Sequence, residues 1–240
     1  MLSTIYEDSD LWVLNKPAGM PTVRLPNSSQ ISIADILLEK HPNQSAVGSM
    51  QDCGIVHRLD NHTTGCLVVA KTNDAYQHLR QQFDQNQITK RYTALVVGQL
   101  TDTGQVTITI SHMQHRATRM KCTPIGGQTA HTLWTTTRRY PISKLGAAGF
   151  SLADIQITTG VRHQIRVHMA HEGYPLAGDS LYQSRNIRNC DRLQLPHYLL
   201  HAREIEFTSP SSGQRIQCRA DLADLFTTTL KRLDEIVKRH

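Results

Sequence analysis

Hydrophobic positions along the chain recur at strand spacing, then at helical spacing, and switch between the two several times. Leu11 to Leu14 is a short apolar run that reads as a buried strand, stopped by the turn Lys16-Pro17-Ala18-Gly19. Ser32 to Lys40 reads as a helix, with Ser32 a good N-cap and Ile33, Ile36 and Leu37 on one face. Cys66 to Ala70 is rich in strand formers, and Asn73 to Phe83 follows with Ala75, Leu79 and Phe83 at helical spacing. Alternation returns at Tyr92, Ala94 and Val96, at Val106, Ile108 and Ile110, and at Ile155 and Ile157. Arg162 to Glu172 reads as a helix closed by Gly173, where a positive φ is wanted. From Asp221 onward, Leu222, Leu225, Phe226, Leu233, Ile236 and Val237 form a helical stripe. Lys231, Arg232, Lys238 and Arg239 in its last turns suit the negative end of the helix dipole.

Strands outnumber helices, and many connections are too short for a regular βαβ repeat. The pattern predicts an α+β fold, a mixed, mainly antiparallel sheet with flanking helices. The loosest segments, Pro42 to Asp52 and Gln183 to Gln194, do not read as linkers, so residues 1–240 are expected to form one domain. With 39% hydrophobic and only 19% charged residues, the chain has enough apolar surface for a core. Lys and Arg number 26 against 20 Asp and Glu, a formal charge of +6, which suits a polyanionic partner. The five cysteines form no C-x-x-C pair, and their odd number argues against a disulfide framework. The opening MLSTIYEDSDLW lacks the regions of a signal peptide, and no apolar run nears the ~18–20 residues that cross a bilayer. A cytoplasmic, monomeric protein with no membrane partner is expected.

Two strings stand out chemically. In Gly54-Ile-Val-His57-Arg58-Leu59-Asp60-Asn-His-Thr63-Thr64-Gly65, a polar turn with Arg58 and Asp60 precedes the strand at Cys66. Loops placed by rigid scaffolds are where catalytic groups tend to sit. The same string also reads as a structural turn in which His57 caps a backbone group, Arg58 pairs with Asp60 and Gly65 takes a positive φ. The second string is Thr159-Gly160-Val161-Arg162-His163-Gln164-Ile165-Arg166-Val167-His168-Met169-Ala170-His171. If helical, it presents Arg162 and Arg166 on one face, able to hold a phosphate or a carboxylate, or simply to be solvated. Its histidines lack the i,i+4 pair that brings two imidazoles together, so no metal is expected. His112 to Lys121 carries Arg116, Arg119 and Lys121 with little apolar periodicity and reads as a loop able to grip a phosphate backbone, or as a solvated charged loop.

His57-Arg58-Leu59-Asp60 followed by Thr63-Thr64-Gly65 resembles the H-R-L-D-x-x-T-S-G signature of the RluA family of pseudouridine synthases. The resemblance extends almost end to end. Asn15-Lys16-Pro17-Ala18-Gly19 is similar to the N-K-P-x-G turn, and Lys90-Arg91-Tyr92 to the K-x-Y strand. Gly160 to His168 is similar to the G-R-x-H-Q-I-R-x-H helix, Gly173 to Tyr182 to G-x-P-x-x-G-D-x-x-Y, and Leu200-His201-Ala202 to the closing L-H-A. Motifs that begin at residue 15 imply a catalytic domain without the N-terminal RNA-binding module of many relatives. Departures are Val161 where arginine is usual, with Arg162 one place later, Thr64 for serine, and Gln128 for a frequent lysine.

The resemblance implies a pseudouridine synthase-like fold and the isomerisation of uridine in ribosomal or transfer RNA. Uracil is both leaving group and nucleophile in that reaction, so no cofactor or metal is expected. The implied catalytic residues are Asp60, as nucleophile or sugar-proton base, Tyr92, which stacks on the target base, and Arg166, the charge partner of Asp60. Arg58 is implied to fill the space left by the flipped base. Arg58, His57, Arg116, Arg119, Lys121, Arg162 and His163 make up the expected RNA-binding set. A non-catalytic RNA-binding protein of the same fold and a histidine-rich metal hydrolase are the rival readings.

Overall fold

The computed structural model describes residues 2–26, 28–113, 118–141, 149–190 and 193–239. It groups the chain into two compact units, residues 1–90 with 202–221, and residues 91–201 with 222–240. Neither unit is one continuous stretch of sequence.

In the first unit, β1 (Ser3–Glu7), β2 (Leu11–Lys16), β3 (Thr64–Ala70) and β10 (Leu200–Thr208) lie in that order, and β11 (Arg215–Arg219) pairs with β10. The β1–β2, β2–β3 and β10–β11 pairings are antiparallel. Leu11 and Val13 of β2 and Val68 of β3 meet Phe207 of β10 and Leu79 in one core cluster. Helix α1 (Ile33–Lys40) starts where the sequence places it. The Ser32 hydroxyl accepts from Asp35 N–H, and the Asp35 carboxylate accepts from Ser32 N–H at 2.9 Å, a reciprocal capping box. Helix α2 (Asn73–Asp84) is capped by Thr72 and buries Ala75 and Leu79, two of the three residues expected on its face. The segment after α1 contains a single 3-10 turn, Pro42–Ala46.

In the second unit, β4 (Thr89–Val97), β9 (Phe150–Ile157), β8 (His131–Tyr140) and β5 (Thr103–Thr107) are neighbours in that order. The β8–β9 and β5–β8 pairings are antiparallel. A separate antiparallel hairpin joins β6 (Thr109–His112) to β7 (Met120–Thr123). Helices α3 (Gln164–His171), α4 (Arg185–Cys190) and α5 (Asp224–Lys238) complete it. Phe226 and Leu233 of α5 pack with Leu95, Tyr140 and Phe150, while Val237, at the end of the expected stripe, is exposed. The result is an α+β fold with mainly antiparallel sheets, as the pattern of the chain predicts.

Four details differ from the sequence reading. The apparent alternation at Tyr92, Ala94 and Val96 belongs to a strand in which Thr93 and Leu95 are buried too, so both faces of β4 are covered. The run Val106-Ile108-Ile110 is divided between β5 and β6, which lie in different sheets. His112 to Lys121 is partly strand, since its ends form the β6–β7 hairpin; residues 114–117, with Arg116, fall outside the described residues. Helix α3 begins at Gln164 and not at Arg162, because His163 takes a left-handed φ of 57° that no helix continues through. Arg162 and Arg166 therefore do not share a helix face.

Candidate active site

The loop that carries Asp60 is fixed by two buried side chains on the strand-and-turn segment at residues 16–22. The Thr22 hydroxyl donates to Leu59 C=O at 2.8 Å and accepts from Leu59 N–H at 3.2 Å. Lys16, at the end of β2, is fully buried, and its Nζ donates to the carbonyls of Pro17, Asn61 and Thr63 at 2.8, 2.8 and 3.0 Å. Thr63 N–H closes the turn on Asp60 C=O at 3.0 Å. The backbone on either side of Asp60 is thus tied down while the residue itself stays half-buried. Desolvation pushes the Lys16 amine down to about 7, and the nearby Asp60 charge opposes that shift. Three carbonyl acceptors match the three N–H bonds of an ammonium, so geometry also favours the charged form.

The chain leaves this loop through Gly65, whose φ is 106°. A Cβ there would lie 2.2 Å from Ala202 C=O, so only glycine lets β3 start beside β10. His57 serves the fold. Its Nε2 accepts from Val68 N–H at 3.0 Å and its ring stacks on Phe83 at 4.7 Å. Burial, then the charges of Lys90 and Arg80, push it down to about 3, so it is neutral. The backbone-cap alternative therefore describes His57 better than an RNA contact does. Arg58 next to it is exposed, and no hydrogen bond or ion pair found among the described residues engages it.

In the second unit, Tyr92 is a buried residue of β4. Arg166 is buried on α3 and held bidentately by Asp179, Nε to Oδ2 at 2.7 Å and Nη2 to Oδ1 at 3.0 Å. Its guanidinium also lies over the rings of Tyr198, at 4.2 Å, and Tyr182, at 5.1 Å. The helix bearing it is locked at both ends. Gln164 Oε1 accepts from Val161 N–H at 3.1 Å and from the Thr159 hydroxyl at 2.9 Å, while its Nε2 donates to His131 C=O at 2.8 Å. His168 is fully buried, with Nδ1 2.9 Å from the Thr132 hydroxyl and Nε2 3.2 Å from Ile108 C=O. Desolvation pushes it down to about 4. His168 is thus a structural residue with both nitrogens engaged, and no group of three His, Cys, Asp or Glu among the described residues is placed to hold a metal.

Of the other expected RNA-binding residues, Arg119, Lys121 and Arg162 are exposed and His163 is half-buried. Val161, standing where the family has arginine, packs on the cluster of Ile110, Met120 and Val167. In the sequence, Lys16 is legible only as part of a turn, and Asp179 and Tyr182 only as letters of a motif. Thr22 and Tyr198 carried no signal, because a threonine beyond a turn and a tyrosine beside a strand are ordinary core residues.

The architecture is that of a pseudouridine synthase domain. Two human structures, RNA Pseudouridylate Synthase Domain Containing 4 and 1, superpose with TM-scores of 0.73 and 0.69 at 23% and 20% identity, covering 97% and 98% of this chain and 93% and 95% of theirs. Residues 10–171 match the RNA pseudouridylate synthase family. The chain is 34% identical over 232 residues to the uncharacterized RNA pseudouridine synthase slr1629 of Synechocystis, 95% of this chain and 68% of that protein. It is 35% identical to ribosomal large subunit pseudouridine synthase D of Nitrosomonas europaea, over 93% of this chain and 62% of that protein. The Pseudomonas aeruginosa protein of the same name is 31% identical over 97% of this chain and 72% of its own length. The chain belongs to the RNA pseudouridylate synthase family.

Proposed function

We propose that this protein isomerises uridine to pseudouridine in a structured RNA, with Asp60 as the reacting carboxylate and the 240-residue chain as one catalytic unit. The bond from ribose C1′ to uracil N1 breaks, the base turns, and C1′ joins C5. The C5 proton is lost and N1 regains one. Asp60 acts on the ribose, as nucleophile at C1′ or as base for a sugar proton. Tyr92 stacks on the target base, and Arg166 supplies a fixed positive charge. Arg58, Arg119, Lys121, Arg162 and His163 contact the RNA backbone or the space vacated by the flipped base.

The observation that carries this reading is the double clamp on the Asp60 loop. A buried lysine and a buried threonine hold the backbone around one half-buried carboxylate, which is how a reactive group is preorganised. No helix among the described residues is long and apolar enough to cross a membrane, and a cytoplasmic RNA substrate fits. The relatives named for the large ribosomal subunit make ribosomal RNA the first substrate to test.

Asp60→Asn keeps the shape of the side chain and removes its basicity and nucleophilicity. Pseudouridine formation on total ribosomal RNA should disappear, with RNA affinity changed less than about threefold. Tritium release from C5-labelled RNA, with filter binding alongside, measures both. Turnover by the variant would remove Asp60 from the chemistry, and parental enzyme without turnover would favour a binding role alone.

A further inference from the structure

We propose that Tyr182 is a positioning residue whose hydroxyl anchors the β6–β7 hairpin to the threshold of α3, so that the hairpin's grip on the RNA depends on it. The inference rests on the pseudouridine synthase reading above and concerns a residue outside the reacting set. Tyr182 is buried, and both ends of its side chain are in use. Its hydroxyl accepts from Met120 N–H at 2.9 Å, which anchors the first residue of β7, and lies 2.8 Å from His163 Nδ1 at the threshold of α3. Its ring has the Arg166 guanidinium at 5.1 Å and the Arg119 guanidinium at 5.6 Å, and meets the His163 ring edge-on at 5.7 Å.

Arg119 is exposed and immediately precedes Met120, whose backbone the tyrosine holds. One side chain therefore touches an arginine presented to solvent by the hairpin, a histidine at the helix start, and the buried arginine of the helix. A tyrosine that only filled the cluster with Ile110, Met120 and Val167 would need the ring and not the hydroxyl. Phenylalanine keeps that volume and both cation–π contacts. It removes the acceptor for Met120 N–H and the partner of His163, so the hairpin and the helix threshold lose their shared anchor.

The test is steady-state kinetics on ribosomal RNA for the parent, Tyr182→Phe, Arg119→Ala and the double variant. Tyr182→Phe should raise KM about five- to thirty-fold and change kcat less than about threefold. Arg119→Ala should also raise KM and should lower the dependence of log KM on log salt by about one phosphate contact. If the hydroxyl acts through the hairpin, the double variant is no worse than the poorer single one, a non-additivity that a general loss of stability does not produce. Parental kinetics for Tyr182→Phe, a fall confined to kcat, or additive effects overturn the proposal. An Arg119→Ala enzyme with unchanged KM overturns it as well, since the hairpin then grips nothing. Failure of the parental enzyme to make pseudouridine in any RNA is a separate outcome that removes the enzymatic reading itself.

Discussion

Arg166 is a buried structural charge, held by the carboxylate of Asp179. With its side chain 7% exposed and that of its bidentate partner Asp179 1% exposed, the pair lies where a lone charge is costly. Asp179→Ala leaves the guanidinium without that carboxylate, for which a loss of about 3–5 kcal/mol is expected. In a chain of this size that is a fall in Tm of roughly 6–20 °C, read by calorimetry. Asp179→Asn keeps one acceptor and should lose less; an alanine variant that melts with the parent would show the pair to be idle. The sequence exposes such residues unevenly. Arg166 and Asp60 are legible because each stands inside one of the two strings that resemble a family motif. Lys16 does not, because a lysine at the end of an apolar strand is ordinarily taken as the polar residue that ends it. Its three carbonyl acceptors come from residues 17, 61 and 63, two of them about 45 positions away, and no local pattern encodes that meeting.

Among the elements, those governed by local rules are the ones the sequence reveals. α1 has its capping box within four residues, Ser32 to Asp35, and α2 its cap and apolar face within twelve, so both are found nearly to the residue. β5 and β6 are not separable in advance, because the break at Ile108 is set by which strands are available to pair, a property of the sheets. The left-handed His163 shortens α3 for a similar reason: Gln164 turns back onto Val161 and Thr159 and fixes a tight entry that helix propensity does not foresee. β3 has the opposite character, since its first turn depends on one glycine. Gly65→Ala combines a left-handed φ with a backbone oxygen 2.2 Å from the new Cβ, and neither can relax by moving a side chain. A loss of about 2–4 kcal/mol in urea unfolding is expected, with loss of activity because the Asp60 loop enters β3 there. An alanine variant with parental stability would mean that β3 and β10 can separate at little cost.

At the scale of the molecule, His57, His168, Lys16 and Lys90 share one direction of shift, and this shapes how stability follows pH. His57 in the first unit and His168 in the second are held neutral, pushed down to about 3 and about 4, while Lys16 and Lys90 are pushed down to about 7 and about 8, all chiefly by burial. In the unfolded chain the histidines protonate near 6.5 and the lysines near 10.4. Between the folded and unfolded values the unfolded chain binds more protons, so stability rises with pH in both windows. For the histidines it is fully present above about pH 6.5 and is lost as pH falls toward 4, and for the lysines it grows from about pH 7–8 to 10.5. His168, with no exposed surface, should account for on the order of 2 kcal/mol between pH 7 and pH 5. The shared sign means that mild acid weakens both units, since His57 in one and His168 in the other are neutral and hydrogen-bonded. Urea unfolding at pH 5.0 and 7.5 tests this with His168→Gln, whose amide can still reach the Thr132 hydroxyl and Ile108 C=O but takes up no proton. The variant should lose some stability at pH 7.5 and show a pH 5.0 to 7.5 difference smaller than the parent's by about the His168 share. An unchanged difference would mean that His168 already binds its proton in the folded protein, and that its contacts to Thr132 and Ile108 hold an imidazolium rather than a neutral ring.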